Sequence, residues 1–194
     1  MKIISWDIGI INLAYCIMED EKILKWGVID IRESEVKKKK KSILKIAPIL
    51  INKVHEDPDL IDIDYVLIEN QPCMKNPVMK SIQMILYTFY LMCKEKKCSE
   101  SCIKDIFLIS ASNKLKVYDG PVIELNYKTS YTIRKKKAVL HARYFLENNC
   151  KDDDCEENRN WLEYFNSNKK KDDLSDTYLQ GLYFIKNLKK YKIA

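Results

Sequence analysis

Two uninterrupted apolar segments, residues 65–68 and 106–109, constrain the fold of this chain more than any other feature. Each ends at a polar residue and has no polar position within it, which is typical of a strand buried on both faces. Between them, Pro77 can open a helix that reaches about Lys94 and carries an apolar stripe. This strand–helix–strand order predicts parallel strands in a sheet that is covered by helices.

The first 31 residues contain three further candidate strands, Ile3–Trp6, Leu13–Met18 and Trp26–Ile31. Short links between them favour an antiparallel meander. Ser42 is a candidate N-cap for a helix, and residues 110–131 are expected to form a loop. Later helices are expected over about 133–147, over 161–165 and from Asp172 to about Lys190. The sequence therefore predicts one α/β domain over residues 1–194, in which an antiparallel three-strand start is followed by parallel strands.

Glycine is scarce, with 4 residues in 194, against a usual frequency of about 7%. These glycines cannot form a dinucleotide-binding GxGxxG motif or a phosphate loop ending in GK[ST], so we expect no nucleotide cofactor. The two histidines exclude a histidine-rich metal site. The formal charge of +6, from 34 basic and 28 acidic residues, permits a polyanionic partner without requiring one.

No segment approaches the ~18 consecutive apolar residues of a membrane-spanning helix, and Asp7 interrupts any signal-peptide core. We therefore expect no membrane partner and an intracellular location. The seven cysteines are an odd number, which favours a reducing compartment over a disulfide framework. Their spacings lack the CxxC pairs that are typical of structural zinc sites.

Carboxylates stand where two predicted strands end and where the last helix begins. Asp7 follows the first strand, Glu69 follows residues 65–68, and Asp172, Asp173 and Asp176 lie in the first turns of the last helix. If the first and fourth strands are neighbours and the last helix crosses them, these acids converge, and their repulsion calls for a divalent cation. Oxygen-only ligands suit Mg²⁺ or Mn²⁺. A turn or helix-cap role is the alternative for each acid taken alone.

Three segments, in this order, resemble the motifs of RuvC-like Holliday junction resolvases. They are Asp7-Ile8-Gly9 with Asn12, residues 66–72 (VLIENQP) and residues 171–176 (KDDLSD). The branch of poxvirus and mitochondrial resolvases is the most similar, because its acidic strand is also followed by glutamine and a basic-proline segment, here Lys75-Asn76-Pro77. Asn70 departs from the pattern, which commonly has a basic residue at that position.

The resemblance implies an RNase H-like fold and a Mg²⁺-dependent endonuclease that, as a homodimer, cuts four-way DNA symmetrically into 5′-phosphate nicks. Asp7, Glu69, Asp173 and Asp176 would bind two Mg²⁺ ions, for which Mn²⁺ could substitute, with Asp172 as the rival of Asp173. Two-metal chemistry would activate a water in line with the scissile phosphate and stabilise the leaving 3′ oxygen. The cytoplasm, the nucleus, a mitochondrion and a viral replication site are all compatible with this interpretation.

Basic residues supply candidate DNA contacts. The resemblance points to the run 134–137 for a lysine that neutralises the scissile phosphate. We favour Lys136, with Arg134, Lys135 and Lys137 as DNA-binding neighbours and a solvated helix face as the alternative. Further candidates near the acidic strand are Gln71, Lys75 and Lys80.

The predicted helix over residues 78–92 is apolar on more than one face and therefore needs a second partner. We expect the same helix of a second subunit there, with burial under the 110–131 loop as the alternative.

Three other functions compete with junction resolution. One is another RNase H-like nuclease that acts on flap DNA or RNA–DNA hybrids, and another is a non-catalytic DNA-binding module. An actin-type ATPase also begins with Asp-x-Gly after a strand, but 194 residues leave no room for the duplicated domain of that fold.

Overall fold

The computed structural model describes residues 1–32, 42–74, 76–96, 102–149 and 156–192. Within these ranges the strands are β1 (Lys2–Asp7), β2 (Leu13–Glu19), β3 (Lys22–Ile29), β4 (Tyr65–Glu69) and β5 (Asp105–Ile109). The helices are α1 (Ile43–His55), α2 (Pro77–Lys96), α3 (Ser130–Asn149), α4 (Glu156–Ser167) and α5 (Lys171–Lys186). Short 3₁₀ turns lie at Pro58–Leu60, Lys114–Val117 and Leu188–Tyr191.

The strands form one mixed sheet in the order β3-β2-β1-β4-β5. The first three strands pair antiparallel, whereas β4 pairs parallel with both β1 and β5. The predicted mixed α/β sheet, with its antiparallel start and its parallel continuation, is confirmed.

The predicted bounds of several elements were wrong, and α3 spans Ser130–Asn149 instead of about 133–147. The strand β3 begins at Lys22 instead of Trp26 and ends at Ile29, because a tight turn with Asp20 at a positive φ of 52° follows β2 directly. The helix predicted over residues 161–165 extends to both sides as α4. The last helix ends at Lys186 instead of about Lys190, and a 3₁₀ turn follows it.

Helices cover both faces of the sheet, and alternate residues of β1 show how the two cores form. Ile4 and Trp6 pack into a core with α1 and α2, whereas Ile3 belongs to the core that α3, α4 and α5 form on the other face. Because successive side chains of a strand point to opposite faces, one strand serves both cores.

Helix α5 lies across β1 and β2 at close range. Gly181 permits this approach, since a Cβ at that position would lie 2.6 Å from the Met18 sulfur. One residue earlier, the Gln180 side-chain amide donates to the Ser5 hydroxyl at 3.0 Å and to the Trp6 carbonyl at 3.3 Å. These contacts fix the first turns of α5 beside the end of β1.

Helix α2 packs against α1 as well as against β4 and β5, so one of its apolar partners lies within the chain. The 3₁₀ turn within the 110–131 loop packs against α3 and α5 instead. Met84, Thr88 and Met92 form an exposed stripe on α2. None of the described helices is both long enough and apolar enough to cross a membrane.

Candidate active site

Two carboxyl groups lie side by side where β1 and β4 end. These strands are parallel neighbours with Trp6 opposite Ile68, so the next residues, Asp7 and Glu69, reach the same edge of the sheet. Burial raises the pKa of Asp7 well above its usual range, and a hydrogen bond to Glu69 and the Glu69 charge raise it further. Two carboxylates this close repel each other unless a cation lies between them.

The turn after Asp7 requires a glycine. A Cβ on Gly9 would lie 2.1 Å from the carbonyl oxygen of Asn12, a distance at which the loop could not close. The short link from β1 to β2 therefore depends on the glycine of the Asp7-Ile8-Gly9 motif.

Helix α5 brings further carboxylates to this edge. Burial raises the pKa of Asp176 to about 6, although the Lys114 ammonium, which hydrogen-bonds to it, opposes the rise. Burial, followed by the charge of Asp172, also raises the pKa of Asp173. The Oδ2 atom of Asp173 is buried without a hydrogen-bond partner. A buried carboxylate oxygen without a donor is suited to a cation.

Asp172 has a different environment from Asp173. Its burial alone would raise its pKa, but an ion pair with Lys135 holds the pKa below the usual value. Asp173 lines the cleft described next, and Asp172 does not. The geometry thus favours Asp173 over its rival as a ligand.

The carboxylates open into a cleft of about 490 Å³. Its lining combines the acids with basic and aromatic side chains from the start of α3. It includes Asp7, Glu69, Asp173, Asp176, Lys114, Gln71, Tyr131, Arg134 and Lys135. Such a cleft can hold a cation on the acidic side and an anion on the basic side.

The remaining predicted residues lie outside the lining. Lys136 is exposed on α3, because each residue of a helix is rotated about 100° from the previous one and Lys135 already faces the cleft. Lys137 contributes to lowering the pKa of His141. The Lys80 ammonium donates to the Asn70 side chain at 3.1 Å. Lys75 lies outside the described residues.

Several polar residues of the site were not predicted, and they include Lys114, Gln83 and Tyr131. Lys114 lies in the 110–131 loop and has a side chain only 15% exposed, with its Nζ atom 3.9 Å from Glu69 Oε1. Gln83 is buried on α2 and accepts a hydrogen bond from the Gln71 backbone amide at 2.7 Å, which shapes the loop after β4. The one available signal for Lys114 was its place just after β5, since parallel strands end at the same edge of a sheet.

The donor set fits a hard divalent cation, because it consists of carboxylate oxygens and includes the unpartnered Asp173 Oδ2. In the described ranges, however, no three acidic, histidine or cysteine side chains are grouped closely enough to hold one ion as they stand. The Lys114 ammonium lies among the acids, in contact with Asp176 and near Glu69. Metal binding would therefore require rearrangement of these side chains.

The sheet order, the helix crossing it and the helices on both faces define a RuvC-like, RNase H-type fold. The yeast mitochondrial Holliday junction resolvase matches with a TM-score of 0.64 and 17% identity, over 98% of this chain and 82% of its own. The fowlpox virus Holliday junction resolvase matches with a TM-score of 0.55 and 17% identity, over 97% and 99% of the two chains. RuvC of Thermus thermophilus, in complex with a Holliday junction substrate, matches with a TM-score of 0.59 and 11% identity, over 98% of this chain and 96% of its own.

Sequence comparison adds a viral relative. An uncharacterized protein of Acanthamoeba polyphaga mimivirus is 32% identical over 143 residues, which are 70% of this chain and 32% of the relative. The match thus spans about a third of the length of that protein. No protein-family model matches the sequence.

Proposed function

We propose that the protein is a Mg²⁺-dependent endonuclease that resolves four-way DNA junctions. The supporting observation is the convergence of Asp7, Glu69, Asp173 and Asp176 in one cleft that basic side chains also line. The resolvase names of the structural neighbours point to the same substrate class.

The chain's own groups divide the work in this proposal. Asp7, Glu69 and Asp176, with Asp173, would hold two divalent ions, which when bound supply the water activation and leaving-group stabilisation of phosphodiester hydrolysis. Arg134 and Lys135, which also line the cleft, would bind the DNA backbone, because guanidinium and ammonium groups bind phosphate oxygens. The geometry makes Lys114 and Lys135 better placed than Lys136 to approach the scissile phosphate.

The exposed tyrosine at the cleft mouth extends this surface. Tyr131 lines the cleft with 61% of its surface exposed, and its ring lies 5.3 Å from the Lys135 ammonium. An exposed aromatic ring beside a cation can stack on an unpaired base while the cation binds the adjacent phosphate. At the crossover of branched DNA the base stacking is interrupted, so a base face there is a candidate partner for this ring.

We also propose a homodimer through the exposed stripe Met84-Thr88-Met92, since two symmetric nicks require two sites. The two methionines are 41% and 50% exposed on one face of α2. Gel filtration of the Met84→Glu/Met92→Glu double variant should give a monomer where the wild type gives a dimer. Leu44→Glu on α1, where the side chain is 82% exposed, is the control and should leave the dimer intact. A wild type that is monomeric and fully active would contradict the dimer.

The cleavage test offers a mobile four-way junction, a flap and an RNA–DNA hybrid to the purified protein with Mg²⁺. The junction should be cut preferentially, and Glu69→Gln should abolish cutting because it removes a ligand charge. Glu19→Gln is the matched control, since Glu19 is an exposed residue paired with Lys2 at the opposite end of β1. Preferred cutting of the flap or the hybrid would replace the proposed substrate, and undiminished cutting by Glu69→Gln would remove the proposed centre.

A further inference from the structure

Lys114 occupies the part of the cleft in which a metal ion would lie. We infer that its ammonium group is an internal counter-ion, which holds the carboxylates together without metal. It is displaced from these carboxylates when a divalent cation enters. The inference rests on the metal site of the proposed function and adds a regulated step to it.

The contacts place the ammonium among the acids. It hydrogen-bonds to Asp176 and lies 3.9 Å from Glu69 Oε1. The side chains of Lys114, Asp176 and Glu69 are only 15%, 18% and 12% exposed. Partly buried carboxylates repel each other strongly when no cation lies between them. The lysine therefore performs, in the metal-free protein, the neutralising task that the metal performs when bound.

The lysine does this task incompletely. The buried Oδ2 atom of Asp173 has no hydrogen-bond partner although Asp173 lines the same cleft. A lysine carries one charge and a divalent ion carries two, so exchange of one for the other would give the acids a stronger counter-charge. The unpartnered oxygen is thus available to the incoming ion.

The lysine also has a fixed base and room to move. Its neighbour Asn113 donates its backbone amide to the Ser110 carbonyl at 3.0 Å, and its own carbonyl accepts the Lys116 backbone amide at 2.9 Å, so backbone hydrogen bonds hold the turn in place. The side chain of Lys114, a flexible four-carbon stem, projects into a cleft of about 490 Å³. A side-chain rotation can therefore carry the charge away from Asp176 and Glu69 while the backbone stays in place.

The consequence is that removal of the ammonium should strengthen metal binding. Thermal shift titrations with Mg²⁺ or Ca²⁺, without DNA, measure this for Lys114→Met, which keeps the length of the side chain and removes its charge. The half-saturating Mg²⁺ concentration should fall by about fivefold or more relative to the wild type, since no internal cation must be displaced. Lys116→Met, in the same turn but outside the cleft lining, is the control and should change it by less than about twofold.

A second variant guards against a folding defect. Lys114→Arg retains the positive charge, so it should not lower the half-saturating concentration, whereas a structural role alone would make both variants behave alike. Circular dichroism checks that each variant melts cooperatively. Unchanged or weaker Mg²⁺ binding by Lys114→Met would overturn the inference.

Chemical labelling tests the displacement itself. In the metal-free wild type, acylation of Lys114, followed by mass spectrometry, should be slow because the side chain is 15% exposed. Saturating Ca²⁺ should raise its rate several-fold while the rate at exposed Lys116 stays constant. If Ca²⁺ and Mg²⁺ bind and junctions are cut but the Lys114 rate is unchanged, the counter-ion inference alone fails. If the wild type binds neither ion, the proposed metal centre fails with it.

Discussion

Two lysines in this protein lie among carboxylates, one at the surface and one in the cleft. The Lys25 ammonium donates to both oxygens of Asp57, at 2.8 and 2.7 Å, and to Asp59 at 2.8 Å. It lowers the pKa of Asp59 by its hydrogen bond and charge. In the cleft, Lys114 touches Asp176, yet the pKa values of Asp176 and Asp7 are raised because burial outweighs the lysine.

The difference lies in exposure. Lys25, Asp57 and Asp59 are 33%, 30% and 64% exposed, so water screens the second negative charge and the contact stabilises the link between β3 and the Pro58–Leu60 turn. Around Lys114 the surplus negative charge is buried and costs stability. Buried carboxylates whose charge is not neutralised are unfavourable for folding but useful for binding a cation. The cluster around Lys25 is therefore structural, whereas the cluster around Lys114 has the features of a functional site.

The largest expected effects come from replacing one aspartate of each cluster by the uncharged asparagine. Asp7→Asn should reduce junction cleavage by about a thousandfold or more, because a ligand charge is lost. It should leave the melting temperature of the metal-free protein unchanged or higher, since the amide can still donate to Glu69. Asp57→Asn should cleave normally but lower the free energy of unfolding by about 1 kcal/mol. It weakens the Lys25 contact and the hydrogen bond that the Asp57 side chain accepts from the Asp59 amide.

Cleavage rates and melting curves of the two variants check this prediction at one pH and without metal in the melts. A marked loss of stability in Asp7→Asn, or a marked loss of cleavage in Asp57→Asn, would break the distinction between the clusters.

The pH dependence of stability offers a medium-sized test. The pKa of Asp176 is about 6 in the folded protein against an ordinary 3.8, so folding takes up a proton between these values. The stabilisation linked to this proton is present below about 3.8 and is lost as the pH rises through 6. Asp176→Asn cannot titrate, so its stability relative to the wild type should increase from about pH 4 to pH 8, on the order of 2 kcal/mol.

The difference between variant and wild type is the quantity to measure, in melts without metal. His141, whose pKa burial lowers to about 4, destabilises the fold when it is protonated, and this contribution cancels in the difference. A difference that stays constant with pH would contradict the raised pKa of Asp176.

The smallest effect is expected at the surface lysine. Lys25→Met should lower the free energy of unfolding by about 1 kcal/mol or less, because exposed ion pairs contribute little, and added salt should shrink the difference further. Urea melts at low and high salt measure it. A loss several times larger would show that this cluster is not screened, and would remove the contrast with the cleft.

Much of the fold followed from apolar runs. The strands β1, β2, β4 and β5 and the long helix α2 were predicted because their buried residues are continuous or periodic. The start of β3 was missed because only Ile23 is buried in its first half, between exposed Lys22 and Leu24, which is also typical of a polar link.

The site was predicted less completely. Asp7 and Glu69 follow apolar strands, so strand ends located them, but spacing could not separate Asp172 from Asp173, since both share a helix face with Asp176. Their environments differ in the Lys135 contact of Asp172 and in the cleft that Asp173 lines, and both features join distant parts of the chain. For Lys114 the only signal was its place after β5, because its position depends on the turn after that strand and on β5 lying beside β4.

The most direct test of the metal centre is anomalous diffraction from crystals soaked in Mn²⁺. The account predicts a peak in the cleft with oxygens of Asp7, Glu69 and Asp176 or Asp173 at about 2.1 Å, and the Lys114 ammonium moved away from Asp176. Crystals soaked at a Mn²⁺ concentration that supports junction cleavage, yet showing no peak among these carboxylates and Lys114 still in place, would contradict it.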